Sequence, residues 1–210
     1  MISGKAIAWA CLLLPTASLA APDAATIIAG LKRNGPSTTA YTEVRFVDML
    51  EAPMILSGEL QYLADGGLIK RVTKPYRETT TVGAGGDVTI EREGRETKKF
   101  TLKRAAALGA FLESFSGVLG GDSARLAQSY TVAIAGDESH WSLKLMPRDR
   151  SLAKQVTRIE IDGETRTPLC FRVQEANGDS SVLLVERLAR ARLSANPTKN
   201  ELDQMCKNGT

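Results

Sequence analysis

Residues 104–120 read RAAALGAFLESFSGVLG. Within them Leu108, Phe111, Leu112, Phe115, Val118 and Leu119 recur at spacings of three and four, so they share one face of a helix. It is the one long helix-period apolar segment in a body that otherwise alternates like β-strand. Neighbouring antiparallel strands need only a two-residue turn between them. A helix inserted here has another task, and its apolar stripe points to a cover over something apolar.

Upstream of this segment, Asp23 to Asn34 reads as an N-terminal helix. Asp23 can cap it, Ile27, Ile28 and Leu31 form its stripe, and Gly35-Pro36 ends it. Strands follow at Thr39–Leu50, Ile55–Leu63, Leu68–Thr73, Arg77–Val82, Asp87–Glu93 and Glu96–Leu102. In the first of them Thr42, Val44 and Phe46 share a face opposite Glu43 and Arg45. In the second Leu56, Gly58, Leu60 and Tyr62 oppose Ser57, Glu59 and Gln61. Gly83-Ala84-Gly85-Gly86 and Glu93-Gly94 mark hairpin turns.

Downstream, a short helical continuation covers Asp122–Gln128, with Asp122 as cap. Strands resume at Tyr130–Ala135, His140–Met146, Lys154–Asp162, Leu169–Glu175 and Ser180–Leu188, and Asn177-Gly178 joins the last two. A single sheet of about eleven strands leaves exposed edges unless it curls strongly. The fold expected is therefore α+β: a curved antiparallel sheet forming a half-closed barrel, apolar inside, capped by the N-terminal helix and the mid-chain helix. A filled sandwich is the other arrangement the pattern allows.

The first twenty residues read as an export signal. Lys5 gives a positive start, Ala6 to Leu14 is an apolar run too short to span a bilayer, and Ser18-Leu19-Ala20 is a small-x-small cleavage site. Lipidation at Cys11 is disfavoured by the few apolar residues before it. The expected domain is thus residues 21–210, a single half-barrel with a C-terminal tail. Export leaves Cys170 and Cys206, which in an oxidising compartment most often pair. The loop they would close, about 35 residues, contributes roughly 3–4 kcal/mol in the chain-entropy treatment. Leu169, Phe171 and Val173 share a face, so Cys170 points the other way. The tail after Arg192 is expected to cross the outer face of the sheet.

The formal charge is +3, and +2 without Lys5. Basic and acidic residues are interspersed, which argues against nucleic acid as a partner. Catalytic signatures are missing. The chain's one histidine, His140, starts an alternating strand on the face opposite Trp141, and no G-x-S-x-G elbow accompanies it. One His and two paired Cys make no zinc site. Asp122, Asp137 and Glu138 lack calcium-loop spacing. The glycines of GAGGD lie between strands, not between strand and helix, where a phosphate cradle would need them. No enzyme activity, metal or cofactor is expected, and binding leads over catalysis.

Several stretches resemble the LolA family of periplasmic outer-membrane lipoprotein carriers. They are Thr42-Glu43-Val44-Arg45-Phe46, Leu56-Ser57-Gly58-Glu59-Leu60-Gln61-Tyr62, the helix around Phe111 to Leu119, Trp141 to Pro147, Ile159-Glu160-Ile161-Asp162-Gly163 and the Gly178-Asp179 turn. The chain is closer to the LolA-related branch than to the archetypal carrier. The latter has an arginine in the turn after its third strand, whereas Leu63-Ala64-Asp65-Gly66 has none here, which turns the expectation towards acyl cargo other than lipoprotein.

The resemblance implies a periplasmic carrier, acting as a monomer between an inner-membrane donor and an outer-membrane acceptor. Its acyl cavity would be lined by Val44, Phe46, Leu56, Leu60, Tyr62, Val88, Ile90, Trp141, Leu143, Ile159, Phe171 and Val173. The helix bearing Leu108, Phe111, Leu112, Phe115, Val118 and Leu119 would be its lid. The rival expectations are an envelope scaffold or adaptor with a filled core, and a hydrolase using unrecognised acids.

Overall fold

The computed structural model describes residues 23–33 and 35–210. The expected export signal, Cys11 and Asn34 lie outside the described residues.

Strands β1 (Ser37–Phe46), β2 (Met54–Tyr62), β3 (Leu68–Lys74), β4 (Glu78–Val82), β5 (Asp87–Arg92) and β6 (Lys98–Thr101) form one meander. Strands β7 (Tyr130–Gly136), β8 (Trp141–Pro147), β9 (Val156–Glu164), β10 (Thr167–Glu175) and β11 (Ser180–Val185) form a second. All belong to one antiparallel eleven-stranded sheet ordered β6-β5-β4-β3-β2-β1-β11-β10-β9-β8-β7. The meanders join where β1 pairs with β11, while β6 and β7 are left as opposite edges, so the barrel is not closed.

This order explains the apolar helix. The chain leaves β6 at one edge and must enter β7 at the other. It therefore crosses the concave face, through a 3-10 turn (Leu102–Arg104), α2 (Ala106–Leu119) and α3 (Ser123–Ser129). Asp122 caps α3, accepting the Arg125 N–H at 2.9 Å. The stripe of α2 meets the inner faces of β9 and β10. Phe115 and Val118 are buried there with Leu143, Ile159, Ile161, Phe171 and Leu183. At the far end of α2, the Arg33 N–H donates to Leu119 O at 2.8 Å and ties down α1 (Ala24–Gly30). That helix is shorter than the sequence suggests: Leu31 closes it, and the Asp23 side chain makes no capping bond to its backbone.

A second apolar layer lies on the outer face. There Val44, Leu169, Cys170, Val182 and Leu184 are covered by Leu188, Leu202 and Cys206. The covering elements are a 3-10 turn at Glu186–Arg190, into which the last strand breaks at Val185, and α5 (Lys199–Asn208). Helix α5 carries a full capping box, Thr198 with Glu201. It is held by a disulfide between Cys170 and Cys206, with Cα atoms 5.6 Å apart. Arg172 adds ion pairs to Asp203 on α5 and to Asp162, the latter at 2.5 Å. A short α4 (Arg150–Ala153), capped by Asp149, precedes β9.

The outer layer corrects the reading of β1. Thr42, Val44 and Phe46 face outwards. Thr42 Oγ1 donates to Ala189 O at 2.8 Å, and Val44 and Phe46 pack in the layer beneath α5. The inner face of β1 carries Tyr41 and Glu43 instead. Where both faces of a sheet are covered, alternation no longer marks the inside. Leu169 is a second correction. The register slips between Pro168 and Cys170, so Leu169 joins Cys170 outside while Phe171 and Val173 stay inside.

Candidate functional site

Helix α2 lies in the trough of the sheet without filling it evenly. Its C-terminal half, from Leu112 to Leu119, is almost wholly buried, whereas Ala106 to Gly109 and Phe111 are only half-buried. The aromatic side chains of α2 anchor it. Phe111 and Phe115 have ring centroids 5.8 and 5.1 Å from Phe171, and 5.5 Å from each other.

A hollow opens on each flank of the less buried half. The first, about 520 Å³, lies between Gly109, Leu112 and Ser116 of α2 and Leu68, Val82 and Leu102 beside the β6 edge. The second, about 510 Å³, lies between Leu108 and Phe111 on one side and β1, β10 and β11 on the other, where Phe171, Val173 and Leu183 supply apolar wall. Ala106 and Gln155 border both. Each falls within the roughly 300–1,000 Å³ of small-molecule sites. A third hollow of about 210 Å³ is lined by Leu60, Tyr62, Phe115 and Leu119.

The second hollow has a charged floor. Glu43 and Lys70 are both buried on the concave face and paired with each other. Arg45 adds its Nε at 2.9 Å to Glu43 Oε1 and its Nη2 at 3.3 Å to Oε2. The Lys70 ammonium also sits 5.1 Å from the centre of the Tyr41 ring. Burial alone would raise the Glu43 pKa, but the charges of Lys70 and Arg45 outweigh it and hold the carboxyl below its ordinary value. Burial lowers the Lys70 pKa, against the opposing pull of Glu43. The Tyr41 hydroxyl is buried without a hydrogen-bond partner among the described residues.

The expected lining divides three ways. Phe171 and Val173 border the second hollow; Leu60 and Tyr62 border the third. Val88, Ile90, Trp141, Leu143 and Ile159 belong to the inner layer packed with α2, and Leu56 shares that face, opposite Glu43. Val44 and Phe46 pack outside, although Phe46, at the end of β1, also borders the mouth of the second hollow. Sequence reasoning missed Glu43, Arg45 and Lys70, which border the second hollow. The usable signal was Lys70, which sits between Leu68 and Val72 on the inward face of β3. A lysine on an apolar face needs a carboxylate within reach, and Glu43 supplies it from β1, across the intervening β2.

His140 is exposed, 3.2 Å from Glu164. Among the described residues no cluster of three or more His, Cys, Asp or Glu could hold a metal ion, and no helix is long and apolar enough to cross a membrane.

The sequence pattern of the outer membrane lipoprotein carrier protein LolA-like family matches residues 16–209. The chain belongs to this family. Compared by sequence with curated proteins, it matches none. Among solved structures, this LolA-like protein is similar to a LolA superfamily protein from Nitrosomonas europaea, at 12% identity and a TM-score of 0.43, covering 86% of this chain and 94% of that one. A DUF1329 family protein from Desulfovibrio piger gives 11% identity and a TM-score of 0.44, covering 88% and 95%. LprF from Mycobacterium bovis gives 10% identity and a TM-score of 0.34, covering 83% and 96%.

Proposed function

We propose that this LolA-like protein is a periplasmic carrier without enzyme activity. It takes acyl chains of a lipoprotein or another lipid into the hollows beside α2 and shuttles them from an inner-membrane donor to an outer-membrane acceptor. The observation that supports this reading is the pair of hollows of about 500 Å³ under one half-buried helix, in a member of a lipoprotein carrier family.

Each buried methylene is worth about 0.8 kcal/mol, so a chain of about fifteen gains on the order of 12 kcal/mol gross. Ordering the chain and shifting the helix consume much of that. The lid is the start of the N-terminal half of α2, Ala106 to Gly109, because Ala110 and nearly all of Leu112 to Leu119 are buried in the core and Phe111 stacks on Phe171. Gly109 weakens that half intrinsically.

The test is displacement of a hydrophobic dye from the purified protein by acyl chains, with native mass spectrometry of protein recovered from membranes to identify cargo. Dye binding indifferent to competing acyl chains would count against a carrier. A second reading, a scaffold with a filled core, draws on the dense Phe111–Phe115–Phe171 stack. It predicts no displacement and no co-purifying lipid. His140→Ala leaves both readings unaffected and separates them from any histidine-dependent hydrolase.

A further inference from the structure

We propose that the protein forms a symmetric dimer through the free edge of β7, the two copies pairing antiparallel about a two-fold axis at Ile134. The proposal is independent of the carrier reading, and it departs from the monomer that the resemblance implies.

The two edges of the sheet are unlike. Strand β6 is four residues long and begins with the exposed Lys98 and Lys99, features that keep a strand edge from recruiting another chain. Strand β7 is seven residues long, reads Tyr130-Thr131-Val132-Ala133-Ile134-Ala135-Gly136, and carries neither charge nor proline. Its register with β8 tells which backbone groups are spare. The Arg148 N–H donates to Ser129 O and the Asp137 N–H to His140 O, both at 2.9 Å, so the odd-numbered residues between them bond to β8. The N–H and C=O groups of Val132, Ile134 and Gly136 therefore point away from β8, and they have no partner among the described residues. Tyr130 is already satisfied: its N–H donates to Leu126 O, and its C=O accepts from Arg148 Nε at 3.0 Å.

These spare groups fix the pairing. With the axis at Ile134, Ile134 meets its own copy and Val132 meets Gly136, which engages every one of them. Val132 and Ile134 turn towards the inner layer, so the exposed Ala133 and Ala135 lie on the convex face, where they meet each other across the join. In the same register Tyr130 lies opposite Glu138. That brings the exposed Arg148 of one copy to the exposed Glu138 of the other, twice over. Within one chain these two residues sit at opposite ends of β8, roughly 25 Å apart, and cannot meet. The neighbouring acids are engaged elsewhere: Asp137 Oδ1 accepts from the Ser139 and His140 N–H groups, and Asp149 caps α4. A strand of unrelated sequence would use the same backbone groups, whereas charges matched at both ends single out a second copy.

Sedimentation velocity of the purified protein is expected to show a species of twice the monomer mass that grows with concentration. Ala133→Lys together with Ala135→Lys, at two exposed positions, sets lysine against lysine across the join. This pair should abolish the dimer while leaving the melting temperature unchanged. Glu138→Arg and Arg148→Glu should each weaken self-association about tenfold, since two ion pairs become repulsive. Mixing these two variants should restore dimers, because every contact in the mixed dimer again joins opposite charges. A single monomeric species at every concentration overturns the proposal. So does a dimer that survives the two lysines, which places the contact elsewhere, or a mixture that fails to recover, which removes the register.

Discussion

Glu43 is the residue on which the concave face turns. It is buried with Lys70, and it reaches Arg45 at the mouth of the hollow. Glu43→Gln leaves the buried Lys70 without its closest carboxylate, at a cost of about 3 kcal/mol, the low end for breaking a buried pair. Urea unfolding at neutral pH measures it. The folded state holds the Glu43 pKa below its ordinary value. Its contribution is therefore complete above the unfolded carboxylate pKa of about 4.3, and it fades as pH falls from there through the folded value. The gap in urea midpoint between wild type and Glu43→Gln should shrink as pH drops below about 4. A gap that stays constant with pH would rule out an ionised Glu43 as its source. None of this was legible from β1 alone, because Glu43 and Arg45 look like solvent-facing residues opposite Val44 and Phe46. Only Lys70, inward by its neighbours Leu68 and Val72, signals the pairing.

At the scale of elements, the turns made most strands readable. Asn177-Gly178, with Gly178 at φ 97°, sets β10 against β11. Helix α5 went unread although Thr198 and Glu201 spell out its capping box, since its apolar contacts are confined to a few residues such as Leu202 and Cys206. Missing α5 also inverted β1, because the layer that covers Val44 comes from the tail. Substituting both Cys170 and Cys206 by Ser should lower stability by about 3–4 kcal/mol, the entropy of the loop released. Wild type under reducing agent should match the double variant in urea melts. Helix α2 offers a paired comparison. A Cβ at Gly109 would meet Leu102 at 3.7 Å, an ordinary contact, whereas one at Gly117 would fall 2.6 Å from the Leu126 side chain. Gly109→Ala should therefore add up to about 1 kcal/mol of helix stability and slow acyl uptake in stopped-flow mixing. Gly117→Ala should cost about 1–3 kcal/mol through overpacking.

At the scale of the whole molecule, the half-barrel was legible from the number of short strands and the single apolar helix among them. A cavity under the helix was expected, but the size and placement of the hollows were not legible. Their size depends on how deeply α2 sinks, and that is fixed by the packing of Phe111, Phe115 and Phe171 rather than by any periodicity. Cargo that binds the folded state should raise its stability by about 2.7 kcal/mol at a concentration of about 100 times Kd. A rise in melting temperature with palmitate, scaling with its concentration, checks this. An unchanged melting temperature at saturating palmitate would speak against occupancy.

Strands β6 and β7 never meet, so no final row of hydrogen bonds fixes the girth of the trough. A sealed cylinder admits guests up to a set diameter and rejects the rest. Here the two rims are not tied to each other, so a carrier built this way would take a bulkier guest by uncurling rather than by rupture. Discrimination by thickness would then be graded rather than sharp.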